Sequence, residues 1–217
     1  MKTYKVLSAD GSPCNGGSGT WHLPKGKRPG KWMVPIKGEL VPCKNGYHLC
    51  RRKDIMQWLN ESIYEAEYRG EIIKQDDKVV VREVRLLRKL NWNDKIARLF
   101  AADCAYRVLE IFERVHPDDS RPRQAIEAGR AFARGKIRQQ DMDAALAAAL
   151  AAAWAAAGDA AWGAARDAAR AAARAAARDV TWAAARAAAR DVTWAAAGDA
   201  EQKWQTRRLF EYLEGRK

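Results

Sequence analysis

No apolar run in this 217-residue chain approaches the roughly 18–20 residues that a membrane-spanning helix needs. Charged residues make up 30% of it. Both facts exclude a membrane protein. The opening MKTYKVLSADGS lacks the apolar centre of a secretory signal, so a cytoplasmic protein of a bacterial host cell is expected. The four cysteines (Cys14, Cys43, Cys50 and Cys104) form no C-x-x-C pair and are expected to be reduced thiols. Zinc ligation by Cys43, Cys50, His22 and His48 fits no standard spacing, and no metal or cofactor is expected. Catalytic signatures are missing too. KGKRPGKW lacks the residue order of a P-loop, and no Ser/His/Asp arrangement is discernible. Glu65 and Glu67 fall on one face of a strand, where a solvated surface explains them better than acid–base work. No catalytic residue is assigned, and the chain is read as a non-enzyme.

What is present begins with charge. The formal net charge is +12, a field that attracts polyanions or an acidic protein surface. The chain then divides into two halves of different character, giving an α+β fold class. Residues 1–90 are rich in glycine, proline and β-formers. TYKVL, MVPI and GYHLC read as short strands, RRKDIMQWL as a short helix, and SIYEAEYRGEII with KVVVREVRLL as a hairpin turning at QDD. This half is a small domain built around a mixed sheet. Its loop LPKGKRPGKW combines backbone freedom with four cations, Lys25, Lys27, Arg28 and Lys31, a candidate contact for phosphates.

From residue 91 the apolar period changes to that of helices, and residues 91–217 are expected to form an all-α, alanine-rich bundle. Ile96, Leu99, Phe100, Cys104, Val108, Leu109 and Phe112 recur at helical spacing behind Asn93, a candidate N-cap. Pro117 stops this helix. Asp119 or Ser120 caps the next, which carries Pro122 in its first turn and runs to Gly135. A third helix begins near Asp141. Alanine dominates thereafter; it has the highest helix propensity, and its small side chain lets helix axes approach closely.

Within that field the phrase RDVTWAAA occurs twice, and the larger residues share one register of four: Trp162, Arg166, Arg170, Arg174, Arg178, Trp182, Arg186, Arg190, Trp194. A step of four advances about 400°, so the row drifts about 40° per step and winds round a straight rod. Glycine suits the end of a helix and aspartate the start of the next, which places breaks at Gly158-Asp159 and Gly198-Asp199. A bend is expected near residues 178–181. Two readings of the row compete. In one, Trp fills gaps between thin helices while Arg pairs with Asp. In the other, Arg166, Arg170, Arg174, Arg178, Trp182, Arg186 and Arg190 form a binding surface.

The segment IARLFAADCAYRVLEIFERVHPDDSRPRQAIEAGRAFARGK, followed by arginine-punctuated alanine helices, resembles the alanine-rich, all-helical immunity proteins of bacterial polymorphic-toxin systems. The resemblance covers about residues 91–217. The front half, with KGKRPGKWM, KGELVPCKNGYHLC and YEAEYRGEI, resembles an uncharacterised domain of phage and prophage proteins. Together they imply a non-enzymatic binder that blocks another protein: a toxin, or a host defence such as a CRISPR effector. The partner implied is an acidic or nucleic-acid-binding protein, met by a monomer or homodimer. A second reading is direct RNA or DNA binding through residues 25–31 and the Arg row. A third is a nucleotide-binding or nucleotide-modifying front domain with His48 in its pocket.

Overall fold

A computed structural model describes residues 1–155 and 199–217. The chain is mixed α+β, as expected, and its described residues gather into two compact units, Met1–Trp92 with Leu213–Arg216, and Asn93–Tyr212. The register of large residues from Trp162 to Trp194, including Arg166, Arg170, Arg174, Arg178, Trp182, Arg186 and Arg190, lies outside the described residues. So do the helix breaks and the bend expected there. None of the described helices is long and apolar enough to cross a membrane.

The first unit is a closed, four-stranded antiparallel barrel in the order β1-β2-β4-β3, with β1 at Thr3–Leu7, β2 at Tyr47–Arg51, β3 at Ser62–Lys74 and β4 at Val79–Lys89. A short helix, α1 (Ile55–Trp58), follows a single 3₁₀ turn after β2. Closure depends on β3, which pairs with β1 through Ser62 to Ala66 and with β4 along nearly its whole length. Closing so small a sheet into a barrel requires its strands to bend. Register shifts at Glu65/Ala66 and Arg69/Ile72 bend β3, and Gly70 supplies a φ of +80° in the second shift. Val79, Val80 and Val81 of β4 are fully buried, since β4 lies between two neighbours and packs both faces. Val79 and Val81 join Leu7, Trp21, Leu49 and Leu86 around the barrel core.

MVPI is not a strand, contrary to the sequence expectation. β2 covers only residues 79–81 of β4. Beyond that point residues 30–36 lie along β4, with Gly30, Met33 and Ile36 donating to the carbonyls of Leu86, Val84 and Arg82 at 2.8, 2.9 and 2.9 Å. A donor every third residue is the spacing of a three-residue-per-turn extended chain, which suits the flanking prolines Pro29 and Pro35. A β-strand would present one every second residue.

The second unit is helical: α2 (Asp94–Val115), α3 (Arg121–Ala133), α4 (Gln139–Ala155) and α5 (Asp199–Leu213). Asn93 caps α2 by accepting from the Ile96 N–H at 3.0 Å. At α3 the side chain that reaches the first turn is that of Asp119, accepting from the Arg121 N–H at 3.1 Å, while the Ser120 hydroxyl accepts from the Gln124 amide instead. The chain leaves α3 through Gly135 at φ +68°. Ile96, Phe100, Cys104, Val108, Leu109 and Phe112 of α2 are buried as the periodicity requires, but Leu99 is only half-buried. Its neighbour Arg98 goes inward, with its guanidinium stacked on Phe132 at 4.7 Å and directed at Met142 Sδ at 3.4 Å. Ala125 and Ala149 pack around Met142, with Phe132, Ile137 and Leu146 alongside.

Candidate functional site

The four front-half cations fall on one exposed corner of the first unit. Lys25 and Arg28 exchange backbone hydrogen bonds, both 3.0 Å, around Gly26 at φ +58°. The expectation of a free backbone is thereby corrected: residues 25–28 form a closed turn. Lys25, Lys27, Arg28 and Lys31 are exposed, and none forms an ion pair among the described residues. The adjacent Trp32 ring carries the guanidiniums of Arg69 and Arg85 at 4.3 and 4.9 Å. Those two arginines are already held by carboxylates, Arg69 by Glu83 and Arg85 by Glu67. Glu65 is likewise bound, to Arg88 at 2.8 Å. Glu65 and Glu67 therefore serve cross-strand ion pairs.

His48 lines a cavity of about 170 Å³ in the barrel wall. Burial, with the charges of Lys5 and Lys78, holds its imidazole below the ordinary histidine range. Its Nε2 accepts from the Cys43 N–H at 2.9 Å. That bond fixes the neutral ring and holds Cys43 at a φ of +63°, which is uncommon for a residue with a side chain. Nε2 is thus engaged by the loop. Among the described residues no group of three or more His, Cys, Asp or Glu side chains gathers as a metal site.

Sequence reasoning missed an extensive polar assembly in the second unit. Asp103 of α2 sits at its centre, its side chain 10% exposed. It accepts from Arg130 of α3 at 2.9 Å and from Arg208 and the Tyr212 hydroxyl of α5, both at 2.7 Å. Burial alone pushes its carboxyl up. The hydrogen bonds from Tyr212 and Arg130 and the charge of Arg208 outweigh that and hold it below the usual carboxylate range. Around this centre Arg107 pairs with the buried Glu201 at 3.1 Å and stacks on Trp204 at 5.0 Å. Arg123 binds Glu113 through two bonds of 2.7 Å. Tyr106, 47% exposed, stands between the guanidiniums of Arg123 and Arg130 at 5.7 and 4.7 Å.

Asp103, Tyr106, Arg107, Arg123, Arg130, Trp204 and Arg208 line an open groove of about 480 Å³. Every arginine in it is paired, so its surface is one of fixed, directional donors and flat aromatic faces with charges of both signs. ADC, RPR and the GR of EAGRAF hold only fragments of it. Local spacings such as the i,i+3 pair Asp103 and Tyr106 are too common to read as a site.

This groove is carried by a unit whose described elements are all helices. Residues 93–210, more than half of the chain, match the family described as "Imm-5 like putative immunity protein", and the protein belongs to that family. No curated protein and no solved structure matches the chain.

Proposed function

We propose that the protein is a stoichiometric binding inhibitor that neutralises a bacterial toxin or defence protein, with the groove around Asp103 as its principal contact surface. One observation carries this reading: the stretch that matches the immunity family also holds the preassembled arginine–aromatic groove. Arg, Tyr and Trp are the residues most enriched where protein interfaces concentrate their binding energy. Here their rotamers are fixed before binding by stacking and ion pairs, which lowers the ordering cost of association. The mixed charge of the groove fits a protein surface of alternating sign. The overall charge of +12 favours an acidic or nucleic-acid-binding partner by steering the encounter. Inhibition of a CRISPR effector is the anti-defence version of the same mechanism. The inhibitor acts as monomer or homodimer, without a cofactor or membrane.

The test is growth rescue of bacteria expressing a panel of polymorphic-toxin domains and CRISPR effectors, followed by titration of the purified pair. Neutralisation should saturate at a fixed molar ratio. Tyr106→Ala should raise the dissociation constant about 30-fold, the effect of removing a hot-spot side chain worth about 2 kcal/mol. Neutralisation at far below molar equivalence would instead identify an enzyme.

A second reading, nucleic-acid binding, is favoured by the unpaired cations Lys25, Lys27, Arg28 and Lys31 on their exposed turn. Four phosphate contacts give a slope of about −3.6 in a plot of log affinity against log salt for duplex DNA. Substituting all four by alanine is expected to remove most of that slope. A gel-shift series across salt concentrations reads it directly, and an unchanged slope in the variant would exclude the turn as the contact. The Arg row from Arg166 to Arg190 is proposed as a further contact in either reading.

A further inference from the structure

We propose that the cavity in the first unit binds a small organic carboxylate with a compact apolar body, its head taken by the amines of Lys5 and Lys78 and its body by Trp58 and Leu49. This inference is independent of the inhibitor reading, which concerns the other unit.

It starts from an anomaly in β1. Residues 3, 5 and 7 share one face of that strand, and Leu7 of that face belongs to the barrel core. Lys5 therefore points where an apolar side chain is expected. A lysine in such a place usually carries its amine out to water along its stem. Lys5 instead lays its amine beneath the Trp21 ring, 4.6 Å from its centroid, and donates to the His48 carbonyl at 3.1 Å. No carboxylate pairs with it among the described residues. The amine has three donors and uses one of them on the protein. A partly desolvated cation without a counter-ion is costly, and burial indeed pushes the Lys5 amine below the ordinary lysine range.

Lys5 lines the cavity of about 170 Å³, together with Lys78, Leu49, Trp58, Cys50 and His48. Their properties define the ligand. Lys78 reaches the same space with its amine 5.2 Å from the Trp58 ring, but it shares its charge with Asp77 at 3.4 Å. His48 is neutral and occupied by Cys43. The surplus in the cavity is thus close to one positive charge, which matches a monoanion better than a dianion. Val6, Leu49, Cys50 and Trp58 give the remainder of the wall an apolar character. A cavity of about 150 Å³ suffices for benzene, so the cavity of about 170 Å³ admits one six-membered ring. The wall is also firm. The turn at residues 75–78 is tied to Arg51 through the carbonyls of Gln75 and Asp76, and to Trp58, whose Nε1 donates to the Asp77 carbonyl at 3.0 Å.

The experiment is calorimetric titration of the full-length protein with benzoate, with benzyl alcohol as its neutral counterpart and with inorganic phosphate. Benzoate is expected to bind saturably and about tenfold more tightly than benzyl alcohol, the ratio that one charge-assisted hydrogen bond supplies. Lys5→Met should abolish that preference, and Lys95→Met in the helical unit should leave it intact. Should Lys5→Met fail to fold, reductive methylation of the wild type gives a second reading: benzoate should slow modification of Lys5 and leave that of Lys95 unchanged. The proposal is overturned by absence of saturable benzoate binding, by equal affinity for benzyl alcohol, or by unprotected Lys5. Phosphate binding as tightly as benzoate would overturn the assignment to carboxylates.

Discussion

Replacing Asp103 by alanine should lower the stability of the helical unit by about 3 kcal/mol, the lower end of the cost of removing one partner from a buried ion pair. The lower end applies because Arg130 and Arg208 keep side-chain exposures of 23% and 18%, so water can reach part of what the substitution frees. Loss of the carboxylate strips Arg130, Arg208 and the Tyr212 hydroxyl of one shared acceptor. It unlinks α2 from both α3 and α5 at the same point. Urea unfolding should show a lower midpoint with little change in slope. Asp103→Asn, which keeps the shape and one acceptor, should cost less. An unchanged midpoint for Asp103→Ala would show that the hub contributes nothing net.

The same carboxylate carries a pH signature. Its folded value is depressed below the unfolded one, so its contribution is fully present above the unfolded carboxylate value, near pH 4. It is lost as pH falls from there through the folded value. The acid limb of the stability curve should therefore be steeper in the wild type than in Asp103→Ala. Arg130 also stacks on Tyr106. Acid or substitution at Asp103 should accordingly loosen the proposed partner surface before the helices themselves unfold.

Gly30→Ala should be the most damaging single change in the barrel, costing about 3 kcal/mol by overpacking. A methyl group built at Gly30 would lie 1.9 Å from the His22 carbonyl oxygen, a backbone atom that cannot rotate away. The Gly30 N–H is committed on its other side to the Leu86 carbonyl at 2.8 Å. Either residues 22–23 move, or residues 30–36 leave β4 and uncover the carbonyls of Arg82, Val84 and Leu86. Gly26→Ala makes the informative comparison. Space is open there and only the positive φ is strained, so the cost should be about 1 kcal/mol. Thermal unfolding of the two variants should separate them by several degrees. If Gly30→Ala melts with the wild type, the close approach of residues 22 and 30 is wrong. Since Gly30 anchors the base of the basic turn, this variant should also blur any nucleic-acid contact made by Lys25, Lys27, Arg28 and Lys31.

The two candidate surfaces differ in how much of them could be read beforehand. The basic turn was legible because four cations, two glycines and a proline lie within a few residues of one another. The groove around Asp103 was not. Asp103 and Arg208 are separated by 105 positions, and Asp103 and Arg130 by 27. Nothing in local spacing links them. Tyr106 looked like an ordinary position in a helical pattern.

By itself the sequence determined the local structure and the kinship. Alternation and turn residues marked β1, β2 and the β3–β4 hairpin. The 3.6-residue period, Asn93, Pro122 and Gly135 marked the start and end of α2 and α3, and the segment after Asn93 carried the family. These features depend on neighbours a few residues apart, where backbone sterics and capping act directly. The tertiary structure alone decided the closure of the barrel by bends in β3, the course of residues 30–36 beside β4, the inward turn of Lys5 and Arg98, and the convergence on Asp103. Those depend on what each side chain meets across the fold. Charge and burial are settled there by partners that local sequence does not specify.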